Sequence, residues 1–156
     1  MKLTGILLFG LVAIGCATEE NRAYTATTPG STTLATSQSL DYALLAAARG
    51  ERGPWSVDGL YAERGDDGAL IVARDSGWRA LRQPVAGLDA GIVTANITAR
   101  LASDPVTREA RIRIDCDDTG LCSLSGHLPT VFAAHRAIED TLAVPGVMAV
   151  ESHLRF

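Results

Sequence analysis

The stretch "EARIRIDCDDTGLCSLSG" places the strongest constraint on how this chain can fold. Ile112, Ile114 and Cys116 alternate with charged residues before an Asp- and Gly-rich segment at 117–120, and the run that begins near Cys122 alternates as well. Apolar residues at every second position place one face of a strand in a core, so the two runs are predicted to pair as an antiparallel hairpin. That pairing puts the two cysteines on one face, at the two ends of a tight turn.

The start of the chain, "MKLTGILLFGLVAIGC", indicates where the protein is sent. Lys2, an apolar run and a small residue before Cys16 have the layout of a bacterial secretion signal, and the run is too short to span a bilayer as a stable helix. "AIGC" resembles a lipobox, although Ala13 stands where Leu is most common. We therefore expect residues 1–15 to be a lipoprotein signal peptide and Cys16 to carry lipid, palmitate included. The alternatives are an ordinary signal peptide with an incidental cysteine, or an uncleaved anchor.

The cellular location of such a lipoprotein determines whether the two remaining cysteines can form a disulfide. Ala17 follows Cys16 where an inner-membrane retention signal would have Asp, so the resemblance to Gram-negative lipoproteins implies a lipid anchor in the outer membrane, on the periplasmic side. A Gram-positive host would change this predicted location. Disulfides persist in the periplasm, and Cys116 and Cys122 are then left as a pair. We expect a cross-strand disulfide that fixes the register of the hairpin, and the alternative is two buried free thiols.

Composition divides the rest of the chain into three parts. Residues 16–38 are rich in Thr, Ser and Ala and are predicted to be a flexible tether. Residues 39–86 are predicted to form a helix plus a hairpin that turns at 66–68. The helix is expected to be capped by Asp41 and to bury one face, formed by Leu40, Leu44 and Leu45.

Residues 87–156 contain the clearest periodic patterns. A first helix is predicted from Val93, Ile97 and Leu101, spaced four apart, with Asp89 as its N-cap. It is followed by the hairpin and by a second helix, whose buried stripe is predicted to consist of Val131, Ala134, Ile138 and Leu142. The last strand is predicted to turn one face inward, formed by Met148, Val150, Ser152, Leu154 and Phe156. The order helix, strand, strand, helix, strand predicts a small α+β sandwich, an α-β-β-α-β fold with two helices on a three-stranded sheet.

The segment from Asp89 to Phe156 resembles the BON domain, a bacterial periplasmic module. "IVTANITARLASDP" has the apolar spacing of the family's first helix, "TGLCSLSGHL" is similar to its "G-V-V-x-L-x-G-x-V", and "VPGVMAVESHLRF" is similar to its "V-x-G-V-x-x-V-x-N-x-L". The resemblance assigns Gly126 and Gly146 to structural turns. Asp140 and Thr141 depart from the family pattern, which suggests a rotated or shifted second helix.

Tandem copies of the domain are common in this family, which gives the middle segment two interpretations. "SLDYALLAAARG" is placed like the first helix of the domain, and "DDGALIVARDSG" parallels "DDTGLCSLSG". Residues 39–86 are therefore either a degenerate half-copy of the BON domain or an unrelated helix and hairpin that pack beside it.

Several classes of function find no support in the sequence. The net charge of −4 argues against nucleic acid as a partner, and the chain has no glycine-rich phosphate loop and no nucleophile in a catalytic setting. His127, His135 and His153 are predicted to lie on three different elements, so we expect no metal site shared among them. We expect no catalytic residues, no cofactor and no enzymatic activity.

The BON resemblance implies binding of phospholipid and support of envelope integrity. Arg111 and Arg113 share the outer face of a predicted strand and are the candidate patch for anionic phospholipid, the alternative being an ordinary solvated strand face. A protein-protein interaction adaptor that docks envelope proteins is the second hypothesis, with the last strand as a possible open edge.

Overall fold

Six strands form one mixed sheet within residues 39–156, the part of the chain that this computed structural model describes. The predicted signal peptide 1–15, the lipidation site Cys16 and the tether 16–38 lie outside the described residues. The elements in chain order are α1 (Leu40–Ala48), β1 (Trp55–Val57), β2 (Leu60–Arg64), β3 (Leu70–Ala73), α2 (Ala90–Ser103), β4 (Ile112–Cys116), β5 (Leu121–His127), α3 (Val131–Leu142) and β6 (Ala149–Arg155). Among these helices, none is long and apolar enough to cross a bilayer.

The predicted α+β class and the element order of the carboxy-terminal part are confirmed, but the sheet is larger than expected. From Ala90 onward the order is α2, β4, β5, α3, β6. The sheet order is β1-β2-β3-β6-β5-β4, with β3 antiparallel and β5 parallel to β6. The middle segment therefore adds three strands and a third helix to the predicted layout of two helices on three strands.

The middle segment contains three strands, where two had been predicted. Trp55 pairs with Ala62 and Val57 pairs with Leu60, so "WSVDGLYAER" is itself a hairpin with a two-residue turn. The turn residues are Asp58 and Gly59, with φ angles of 47° and 78°. Positive φ at both positions is the backbone that an Asp-Gly dipeptide favours in a tight hairpin, so the sequence carried a turn signal that the prediction missed.

The start of α1 also differs from the prediction. Ser39 is the N-cap, and its hydroxyl accepts a hydrogen bond from the Tyr42 amide at 3.4 Å. Asp41 lies in the first turn instead, where its carboxylate contacts His135 of α3. The predicted face is only partly buried, because Leu40 and Leu44 are buried whereas Leu45 is exposed.

The first helix of the carboxy-terminal part agrees with its periodic pattern. In α2, Asp89 is the N-cap and accepts hydrogen bonds from two backbone amides, and Val93, Ile97 and Leu101 are buried. The four-residue spacing therefore defines the face that packs on the sheet.

In α3, the predicted stripe also faces the core. Ala134, Ile138 and Leu142 are buried and Val131 is partly buried. Asp140 and Thr141 are buried as well, so the helix is not rotated to expose them. Each finds a partner: the Thr141 hydroxyl donates to the Ala137 carbonyl at 2.7 Å.

The partner of Asp140 belongs to a group of ion pairs that ties α2 to α3. Arg100 Nε donates to the Asp140 carboxylate at 3.0 Å, and Arg136 donates to Asp104 at 2.8 Å. The hydrogen bond from Arg136, with a second from the Val106 amide, lowers the pKa of Asp104 below its usual value. Arg100 compensates the charge of the buried carboxylate through Oδ1, while Asp140 Oδ2 is buried without a hydrogen-bond partner in residues 39–156.

The last strand, β6, lies at the centre of the sheet, between β3 and β5. The prediction of an open edge at this strand is therefore wrong, because β3 of the middle segment occupies the position beside it. Val150, Ser152 and Leu154 are buried as predicted, while Met148 and Phe156 lie outside the strand and are 40% and 37% exposed. The edges of the sheet are β1 and β4.

The three helices cover one face of the sheet and form a single core with it. On the opposite face, a smaller cluster lies over β3 and β6, where Trp78 packs near Ile71, Ala73 and Ala149. We call this second side the outer face. Beyond Leu121, which packs against this cluster, the part of the outer face over β4, β5 and the end of β6 carries polar residues.

The two sides of β6 carry similar pieces in opposite orientation. Both α1 and α2 pack against α3, and the second strand of each following hairpin, β3 or β5, lies next to β6. Because β3 is antiparallel and β5 parallel to β6, a two-fold axis normal to the sheet would relate the two pieces. This arrangement is compatible with the half-copy hypothesis, which stays a prediction.

Candidate functional site

The two cysteines lie opposite each other in the β4–β5 hairpin. Cys116 pairs with Cys122 in the strand register, their Cα atoms are 4.1 Å apart, and their side chains are joined by a disulfide bond. Cys122 is fully buried and Cys116 is partly buried against the helix-covered core. The disulfide pairing that the alternation predicted is therefore supported, and it joins the edge strand β4 to β5.

Asp117 organises the turn that follows Cys116. Its Oδ1 accepts hydrogen bonds from the Thr119 amide at 2.9 Å, the Thr119 hydroxyl at 2.6 Å and the Leu121 amide at 3.1 Å. Partial burial by itself would raise the pKa of Asp117, but these hydrogen bonds and the side chain of Arg82 outweigh it and lower the pKa. The carboxylate thus has a structural use in the hairpin turn, as the abundance of Asp in turns suggests.

The two glycines that the family resemblance singled out have different positions. Gly146 lies in the turn before β6 with a φ of 93°. Gly126 lies within β5 and not in a turn, which corrects that assignment. A Cβ atom at Gly126 would stand 2.6 Å from the carbonyl oxygen of Arg111. The glycine therefore allows the start of β4 to approach β5 closely.

The outer face at the start of β4 and at the ends of β5 and β6 carries basic side chains. Arg111 and Arg113 are both exposed. Arg113 lies beside Ser125 of β5, which in turn lies beside His153 of β6. In the next row, His127 pairs with Arg155. Neighbouring strands are separated by about 4.8 Å, so these side chains form one patch. We call Arg111, Arg113, His127 and Arg155 the basic surface.

The arginines of the basic surface differ in their pairing from those that tie α2 to α3. Within residues 39–156, Arg111, Arg113 and Arg155 form no ion pair, whereas Arg100 and Arg136 are engaged by carboxylates. Because the three guanidinium groups are exposed and uncompensated at short range, they are available to an external anion.

A groove borders the basic surface. Its volume is about 610 Å³, and it lies between the segment that joins α2 to β4 and the segment that joins β5 to α3. Glu109, Arg111 and His127 supply its polar groups. The remaining lining residues are apolar or small, namely Pro105, Val106, Ala110 and Pro129. A groove with one apolar wall beside basic groups suits an amphiphilic ligand better than a simple ion.

The sequence pattern predicts two of the four residues of the basic surface. The alternation in β4 placed Arg111 and Arg113 outward, as the structure has them, but Arg155 and His127 were not identified. The alternation in "SHLRF" does turn Arg155 away from Leu154 and the core. Their proximity to β4 depends on the parallel pairing of β5 with β6, which no local pattern reveals.

The three histidines lie on different elements, at the end of β5, in α3 and in β6. His135 lies between two carboxylates, 2.9 Å from Asp41 and 3.2 Å from Glu139, and so links α1 to α3. His153 lies on the outer face near Asp67 and Glu151.

Comparison with known proteins identifies the family of the carboxy-terminal part. Residues 89–156 match the family model of the BON domain. Neither the search of curated proteins nor the search of solved structures gave a match. The matched range contains α2, β4, β5, α3 and β6, which are the helices and strands that the resemblance implied. Residues 89–156 of this chain are a BON domain.

Proposed function

We propose that the protein is an envelope lipoprotein whose BON domain binds anionic phospholipid at the membrane surface through the basic surface, and thereby supports envelope integrity. The observation that carries this proposal is the group of three exposed arginines, Arg111, Arg113 and Arg155, with no ion-pair partner in residues 39–156.

The charge argument is local. The chain as a whole has a net charge of −4, so long-range attraction to an anionic membrane is weak. Each basic side chain at an anionic surface contributes about 1 kcal/mol, and this contribution falls off within a Debye length. Three arginines on one face therefore contribute roughly 3 kcal/mol once the domain touches the membrane.

The groove and its neighbours supply an apolar component. Val106 lines the groove and is 36% exposed, and Phe156 follows Arg155 and is 37% exposed. Apolar side chains next to basic ones are the combination by which peripheral proteins bind the interface of a bilayer. In this proposal the arginines bind headgroup phosphates and the apolar residues reach the upper acyl region.

A lipid on Cys16 would hold the domain near its target. Anchoring turns a weak contact into an intramolecular one and raises its effective concentration. A domain with modest intrinsic affinity would then remain bound to the periplasmic side of the outer membrane, with residues 16–38 as the tether.

The test is sedimentation of residues 17–156, with the disulfide oxidised, against vesicles of phosphatidylcholine with or without 30% phosphatidylglycerol. We expect binding to the anionic vesicles only, weakened by added salt. Replacing Arg111, Arg113 and Arg155 by Gln should weaken the partition roughly a hundredfold, which corresponds to about 3 kcal/mol.

A matched control removes the same charge elsewhere. Arg49, Arg52 and Arg82 are exposed and lie outside the basic surface, so their replacement by Gln should leave most of the binding intact. Equal loss in both triple variants would show a non-specific charge effect and would contradict the proposed surface. Failure of the unaltered protein to bind any vesicle would reject lipid binding by the domain.

The edge strand β4 supports the second candidate function, an adaptor for envelope proteins. Within the described residues, β4 pairs only with β5, so its other side is free to accept a strand from a partner. A stable partner recovered by the protein but lost on replacing Ile114 by Pro, together with no binding to vesicles, would favour this function.

A further inference from the structure

Three potential metal ligands meet on the outer face of the sheet. Asp67 comes from the turn between β2 and β3, and Glu151 and His153 come from β6. Their ligand atoms all lie within 4.8 Å of one another. His153 Nε2 is 3.7 Å from Asp67 Oδ2 and 3.6 Å from Glu151 Oε2.

The two separations from His153 are close to the edge length of a metal coordination polyhedron. Zn²⁺ binds imidazole nitrogen and carboxylate oxygen at about 2.0–2.2 Å. Two ligands at about 2.1 Å in a tetrahedron are roughly 3.4 Å apart by geometry. The observed 3.6 Å and 3.7 Å therefore need only small side-chain movements to close around an ion.

The backbone already holds the three residues in place. Leu70 of β3 pairs with Ser152 of β6, which brings the β2–β3 turn beside His153. Asp67 Oδ1 accepts a hydrogen bond from the Ala69 amide at 3.2 Å, so Oδ2 is left facing the imidazole. Glu151 and His153 are two residues apart on one strand and point to the same side. The strand pairing therefore fixes the backbone positions of the three residues, and their side chains are ordered further on binding.

The donor set selects the class of ion. Two carboxylates and one imidazole suit a divalent transition metal such as Zn²⁺, whereas Ca²⁺ and Mg²⁺ prefer oxygen ligands alone. The side chains of Asp67 and His153 are 51% and 38% exposed, so water has access to complete the coordination. A cation would also relieve the repulsion between the two carboxylates.

We propose that Asp67, Glu151 and His153 form a binding site for a divalent transition-metal ion of the Zn²⁺ type. The bound ion connects the middle segment to the central strand of the BON domain. The lipid function does not require this site.

The test is a Zn²⁺ titration of the full chain with Cys16 replaced by Ser and the disulfide oxidised, followed by calorimetry and by the imidazole NMR signals. We expect one ion per chain, a shift of the His153 signals, and a melting temperature that rises with Zn²⁺ concentration. His153→Ala and Asp67→Asn should each weaken binding at least tenfold. His127→Ala is the matched control, because His127 is exposed on the same face outside the cluster, and it should leave binding unchanged.

Two results would overturn the proposal. One is the absence of binding at about 1 mM Zn²⁺, where a site with a Kd of about 1 mM would be half occupied. The other is undiminished binding in both His153→Ala and Asp67→Asn. Both substitutions are on the exposed face, and the unfolding midpoint without metal reports whether each variant is folded.

Discussion

Reduction of the disulfide is expected to destabilise the domain by an amount that follows from the length of the loop it closes. Cys116 and Cys122 have a sequence separation of 6. In the chain-entropy description, a loop this short restricts the unfolded state by about 2 kcal/mol. Reduction removes no atoms from the core, so this covalent contribution is isolated from the packing of the fully buried Cys122.

The loss should also be local, because β4 is an edge strand. Within residues 39–156, β4 pairs with β5 alone, so the disulfide is a cross-strand covalent link between this edge and the rest of the sheet. We expect the amides of β4 to lose protection from hydrogen exchange on reduction before those of β3, which lies between two strands.

The assay is urea unfolding of residues 17–156 with and without dithiothreitol, with the thiols counted by mass spectrometry. A loss of about 2 kcal/mol lowers the midpoint by about 1 M urea and the melting temperature by about 8 °C. The Cys116→Ala, Cys122→Ala double variant is the control, since dithiothreitol should not affect it. An unchanged midpoint in fully reduced protein would refute the loop-closure reasoning.

Three further predictions concern single residues. Gly126→Ala should lower the free energy of unfolding by about 1–3 kcal/mol, because its Cβ would meet the carbonyl of Arg111; a wild-type urea midpoint would contradict this. Asp140→Ala should lower the free energy of unfolding by about 2 kcal/mol, which thermal unfolding measures. The loss is smaller than for a fully buried pair because Arg100 is half exposed. The lowered pKa of Asp117 means that its contribution is complete above the ordinary carboxyl pKa of about 4 and is lost as pH falls through the lower folded value. Asp117→Asn should therefore flatten the acid limb of stability between about pH 5 and pH 2, measured by urea unfolding.

Helices and strands with one buried face were predictable from the sequence. Val93, Ile97 and Leu101 define α2 because only one side of that helix touches the sheet. The β4–β5 hairpin was predictable for the same reason, since β4 alternates between partly buried and exposed residues. Periodicity is informative wherever one face contacts solvent.

The pairing of β3 with β6 was not predictable. All four residues of β3, Leu70–Ala73, are buried, because one face meets the helices and the other meets Trp78. A strand that is buried on both faces does not alternate, so it carries no register signal. The six-stranded sheet depends on this strand.

The same limit applies to both candidate sites. Arg111 and Arg113 are two apart on one strand, so a local pattern predicts that they share a face. Arg155 joins them only through parallel pairing of β5 and β6, and Asp67 reaches His153 only through the pairing of β3 with β6. Sites assembled across long-range strand pairs have no signature in a local window of sequence.

The central position of β6 has a consequence for the order of folding. The hairpins β2–β3 and β4–β5 have short connections and can form within microseconds of becoming available. Each keeps one unpaired side until β6, the last element in chain order, enters between them. Closing these distant contacts is the slow part of folding for a sheet of this topology. The chain therefore carries two additional exposed strand edges, those of β3 and β5, until β6 is present, and protection from aggregation matters most in that interval.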